Sequence, residues 1–140
     1  MDDATLTRLI ASWLAAAGVG AWRPGGPSYT TSEVGIYYGP IAAAPDRGVG
    51  VAVYSADDPV STGITVRYVQ VRYRGAPGVP AGADVLASAG FAALHGVHHR
   101  DGVARARRIS SARLGADDNG RQERTDNFEI ILNTPLEASP

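Results

Sequence analysis

His95, His98 and His99 are the only histidines of the chain, and they stand within five residues. With Asp101 as a fourth donor they supply the residue types of a zinc site, which needs ligands converging from a fixed scaffold. The spacing argues against one. His98 and His99 are adjacent and diverge in most backbone conformations, and no His-Glu-x-x-His pattern is present. A polar helix exit followed by a loop accounts for them better. The acidic pairs Asp57-Asp58 and Asp117-Asp118 have the chemistry for divalent metal or acid–base work. Asp117-Asp118-Asn119-Gly120 lacks the alternate-residue ligands and bidentate glutamate of a calcium loop, so both pairs read as turns. Gly25-Gly26 and Gly48-x-Gly50 are followed by no Gly-Lys-Ser/Thr, no Gly-x-Ser-x-Gly elbow occurs, and Ser110-Ser111 has no evident base. No catalytic residue, cofactor or metal site is assigned, and the expectation is a protein that is not an enzyme.

The strongest electrostatic feature is Arg105, Arg107, Arg108 and Arg113. Nucleic-acid faces usually carry a larger basic excess with interleaved aromatics, and none lies between Arg100 and Arg124. A subunit interface built from Arg–carboxylate pairs suits this stretch better. All 13 basic residues are arginine, which GC-rich coding explains, although guanidinium groups also make planar bidentate contacts that lysine cannot. Residues 1–65 carry a charge of −3 and residues 66–140 of +2, summing to the net −1. Such a division suits a subunit that assembles head to tail.

The elements that must position these residues are legible in outline. Leu6, Leu9, Ile10, Trp13, Leu14 and Ala17 recur on one helical stripe, predicting a helix to residue 17, capped by Asp2 and Asp3 and stopped by Gly18. Trp13 is expected to anchor the core. Residues 18–32 read as a Gly/Pro-rich loop. Strands are expected within 33–74. They are a short one at Gly35–Tyr38, one at Gly48–Tyr54 ended by the turn Ala56-Asp57-Asp58-Pro59, and a long one at Ile64–Arg74. Gly48, Gly50 and Ala52 form a smooth face that invites a helix or neighbouring backbone. Val69, Val71 and Tyr73 should face the core, and Gln70, Arg72 and Arg74 the solvent. A second helix is expected over 81–95, its apolar face Val85, Leu86, Ala89 and Ala93. Two strands follow within 103–134: Val103–Ser110, an edge strand crowded by arginines, and Glu123–Asn133. The polar turn between them carries Asp117, Asp118 and Arg121. Pro135 should end regular structure and 135–140 should fray. The fold class is α+β: a small, mostly antiparallel or mixed sheet of about five strands with two helices on one face.

At 140 residues the chain fits one domain, 1–140, able to bury a core without staples. No cysteine is present, which removes disulfides, thiolate metal sites and cysteine nucleophiles. Met1-Asp2-Asp3 has the wrong sign for a secretory leader, and no apolar run approaches a membrane span. The expectation is a soluble protein made inside the cell.

Several segments together resemble the tail terminators, or minor capsid proteins, of long-tailed bacteriophages. Gly39-Pro40-Ile41, Ala44-Pro45-Asp46-Arg47 and the valine-rich strand to Tyr54 resemble the first half of that family. Tyr68–Gly75 resembles its central strand. Leu114–Arg121 and Asp126–Ile130 resemble its closing turn and strand, and the opening helix ending Gly18-Val19-Gly20 fits too. The chain departs from the pattern at Arg105–Ser110 and over 18–32.

The resemblance implies a structural virion protein at the head–tail junction, assembled in the cytoplasm of a bacterial host. Such proteins form a hexameric ring that caps the tail tube, ends its polymerisation and offers the surface on which the head connector docks. The partners implied are other copies of the chain, the major tail tube protein and a head-completion or stopper protein. DNA is only cargo through the lumen, and no membrane, cofactor or catalytic residue is involved. The candidate assembly residues are Pro45, Asp46 and Arg47, then Arg72 and Arg74, and Asp117, Asp118 and Arg121. The alternatives are a head-completion or stopper protein of the phage neck, a generic ligand-binding α+β module, or a small His-centred metalloenzyme.

Overall fold

The computed structural model describes residues 1–133. The expected stripe forms α1 (Asp3–Ala16), with Leu6, Ile10, Trp13 and Leu14 buried. The Asp2 carboxylate accepts a hydrogen bond from the Thr5 amide at 2.7 Å, satisfying one of the donors that a helix start leaves open. The remaining elements are β1 (Gly35–Tyr38), β2 (Gly48–Asp57), β3 (Thr65–Pro77), α2 (Gly82–Leu94), β4 (His98–Arg100), β5 (Val103–Ala116) and β6 (Arg121–Leu132). They form one sheet in the order β1-β2-β3-β6-β5-β4, parallel between β1 and β2 and antiparallel elsewhere. The fold is α+β, as expected.

The strands differ from expectation in two ways. A sixth strand, β4, stands where the sequence predicts a loop. Positive φ at Asp101 and Gly102 folds His98–Arg100 back onto β5, and all three residues are exposed, so no apolar pattern announced them. The strands also run further: β2 to Asp57, β3 to Pro77 and β5 to Ala116. Each extension passes through a bulge, at Val53/Ser55, Arg74/Pro77 and Arg113/Gly115. A bulge shifts the two-residue period by one, so alternation read from sequence stops there although the ladder continues.

Both helices lie over one face of the sheet. Beneath them Val49, Val51, Val69, Val71, Tyr73, Phe128 and Ile130 are fully buried. The α2 face is a correction: Val85 is 65% exposed and Ala89 is exposed, while Ala83, Leu86, Ala87, Gly90 and Leu94 are buried. Close approach decides this. A Cβ at Gly90 would meet the Tyr73 hydroxyl, and one at Gly82 would lie 2.9 Å from the Gly75 Cα, so the smallest residues face the sheet. On the opposite face, Gly50 admits backbone as expected, for the Gly39 carbonyl sits where its side chain would be, while Gly48 makes room for the Ile41 side chain.

The 18–32 segment is pinned. Arg23 forms a bidentate pair with Glu33 and lies 4.9 Å from the Tyr29 ring centroid, and the Tyr29 hydroxyl donates to the Ile36 carbonyl at 2.7 Å. The hydrogen bonds from Arg23 hold the Glu33 pKa down to about 2. The expected end of structure at Pro135 and the fraying of 135–140 lie outside the described residues.

Candidate assembly surface

Three segments far apart in sequence meet at one pole of the sheet, and arginines join them. Arg74 sits on the helix-free face of β3, where solvent was expected, yet it is only 6% exposed. The 42–46 loop covers it. Its Nε donates to the Asp46 carbonyl at 2.7 Å, and its Nη2 donates to the carbonyls of Ala42 at 2.6 Å and Pro45 at 2.9 Å. Burial, with Arg121 nearby, pushes its pKa down. Three carbonyl acceptors compensate a buried cation, so the arginine clamps a loop whose residues 42–45 have no polar side chain of their own to fix it.

Arg121 repeats the device from the next strand. Its Nε donates to Asp117 Oδ2 at 2.8 Å, and its Nη1 donates to the Ala43 carbonyl at 2.8 Å and to Asp46 Oδ1 at 3.3 Å. Asp117 in turn accepts the backbone amides of Arg121 and Asn119, each at 2.9 Å, closing the turn. These amide bonds, then the guanidinium, hold its carboxyl below the usual aspartate range. Pro45, Arg74 and Arg121 are therefore buried supports, while Asp46, Arg47 and Asp118 are exposed. Arg47 donates to the Ser32 carbonyl, and Arg72 pairs with Glu123 at 2.7 Å on the outer face. The pole presents the side chains of Asp46, Arg47 and Asp118 on a backbone held by the two buried arginines.

Most arginines of β5 are committed inside the chain, against the expectation of intersubunit pairs. Arg107 pairs with Glu129 at 2.9 Å, Arg108 with Asp126 at 3.4 Å and Arg113 with Asp84 at 3.2 Å. Asp126 is fully buried and also accepts from Arg124 Nε at 2.8 Å, while Arg124 reaches Asp84 in the first turn of α2 at 3.0 Å. This network escaped sequence reading because its members sit on three elements. Arg105 alone of the four has no charged or hydrogen-bonded side-chain partner among the described residues.

The histidines do not converge. His95 Nδ1 accepts the Arg108 amide at 3.0 Å and its ring stacks on Phe91 at 4.4 Å, while His98 and His99 meet edge to face on the surface. Asp101 is taken by Trp13, whose Nε1 donates to it at 3.0 Å. Among the described residues no three His, Asp or Glu side chains gather around one point.

The family model described as "Bacteriophage tail terminator protein" matches residues 13–134. A chain of the virion of a native gene transfer agent particle shares the fold, with a TM-score of 0.51 at 14% identity, over 69% of this chain and 77% of that one. No curated protein matches the sequence. With 122 consecutive positions inside the family model, from the core residue Trp13 through the closing strand β6, the chain belongs to the bacteriophage tail terminator family, a family of virion structural proteins.

Proposed function

We propose that this protein forms a ring, a hexamer by resemblance to its family, that caps the tail tube, ends its polymerisation and offers the head connector a docking surface. The observation that carries the reading is family membership across nearly the whole chain. The geometry supports it. The pole built on Arg74 and Arg121 is held by buried guanidinium groups and presents Asp46, Arg47 and Asp118 outward, the arrangement of a docking platform rather than a reaction site. On this reading the protein works without cofactor or chemistry, assembles in the bacterial cytoplasm, and contacts the tube protein and a stopper protein while DNA passes through the lumen. The test is deletion of its gene from the genome that encodes the particle, followed by electron microscopy. Tails of irregular, excessive length without heads are expected, with uniform headed tails restored by supplying the protein. Headed tails of normal length after deletion would overturn the reading.

A further inference from the structure

The two margins of the sheet are stepped in opposite senses. On one, β1 covers Gly48–Val51 of β2, and no strand among the described residues lies outside Ala52–Asp57. On the other, β4 and the preceding 95–97 segment lie outside the first half of β5, and no strand among the described residues lies outside Ile109–Ala116. Strand register sets the steps at matching heights. Asp57 pairs with Val66, Val66 with Ile131, Ile131 with Arg105 and Arg105 with His98, one row from margin to margin. A second row runs Gly35, Gly48, Arg74, Glu123, Gly115, so β1 is level with the open half of β5.

The two sides of the first row are complementary in charge, with Asp57 at one end and Arg105 one strand in from His98 at the other. Asp57 and Arg105 are both exposed, and neither has a charged or hydrogen-bonded side-chain partner among the described residues. Cross-strand neighbours share a face, here the one away from the helices. On that face a groove of about 540 Å³ is lined by His98, Arg105, Arg107, Glu129 and Ile131. At the opposite margin Tyr54, half exposed and three residues before Asp57 on β2, has its ring centroid 6.2 Å from that of Tyr68.

We infer that these margins are the two halves of a head-to-tail contact between copies of this chain. The end of β2, with Asp57 and Tyr54, seats in the groove at His98 and Arg105 of the next copy, and β1 fills the recess beside Ser111–Gly115. The inference rests on the ring reading and names the surfaces that close the ring. Unlike margins make a heterologous contact, which closes only at the right rotation. An axis along the strands carries each row to the same height in the next copy, so the chain of contacts closes instead of climbing. The bridge at Ala21 covers part of the outer edge of β1, so that half meets through side chains rather than a continued ladder.

The absence of native cysteine makes the test clean. Asp57→Cys and Arg105→Cys proteins are prepared separately and mixed, assembled with purified tail tubes, and bridged with a short bis-maleimide. Expected is a crosslinked dimer only in the mixture, and a covalent closed ring from the double variant. Crosslinking of either single variant to itself would mean a two-fold contact and overturn the inference. Rings seen by electron microscopy without the mixed crosslink would overturn it too, while leaving the ring reading intact. Failure of the wild-type chain to assemble at all would overturn both. As a second measurement, Asp57→Arg should raise the concentration at which rings form about tenfold, because like charges then face each other. Adding Arg105→Asp should restore it, and no restoration would count against the pairing.

Discussion

Arginine does opposite work at the pole and at the margins of this sheet. At the pole, Arg74 and Arg121 are buried, and together they donate to four backbone carbonyls and two carboxylates of the 42–46 loop and the 117–121 turn. At the margin, Arg105 is exposed and Asp57 faces outward a whole sheet-width away in the same row. The difference teaches that an arginine's value to assembly depends on what its own chain leaves unanswered. A guanidinium whose donors are consumed internally shapes a surface. One left open is available to a neighbour.

The contrast predicts its own mutational pattern. Arg74→Ala should have the largest effect, about 3 kcal/mol of lost stability, because three carbonyls lose a buried charged donor. Chemical denaturation reads it, and a change below about 1 kcal/mol would show that the loop holds itself. Arg121→Lys should cost about 1–2 kcal/mol, since an ammonium cannot span Asp117 and the Ala43 carbonyl as the planar fork does. A lysine variant as stable as wild type would reduce the clamp to a simple charge.

Acid should loosen the segment beside the pole. Glu33 titrates near 2 in the folded chain against an ordinary 4.5, so its contribution is fully present above about pH 4.5 and is lost as pH falls toward 2. The melting difference between wild type and Glu33→Gln should therefore shrink across that window. A constant difference would place the effect outside the carboxylate. The smallest stability effects belong to the open groups: Asp57→Ala, Arg105→Ala and Asp118→Ala should each melt within about 0.5 kcal/mol of wild type. Destabilisation well beyond that would reveal an internal role and erase the contrast with the pole.

Much of this was legible beforehand where local rules apply. The α1 stripe, its Asp2 cap, and the buried faces Val69-Val71-Tyr73 and Phe128-Ile130-Leu132 follow from spacing, because burial repeats with the period of the element. The closing turn followed from its Asp and Gly residues, and the candidate segments around residues 45, 74 and 121 do meet in space. Whether their side chains reach solvent was not legible. Arg74 follows the alternation of β3 outward, and only a loop 28 residues earlier in the chain covers it.

Periodicity in the amino-acid sequence by itself determined that two amphipathic helices pack on a mostly antiparallel sheet, because apolar spacing and turn chemistry are properties of neighbouring residues. Tertiary structure alone decided which face α2 turns inward, since the close approach of Gly90 to Tyr73 outweighs the greater apolar area of Val85. It also decided which arginines are spent and which remain open. Ion pairing is settled by distance in space, and the carboxylates that answer Arg72, Arg107 and Arg113 lie 22 to 51 residues away along the chain.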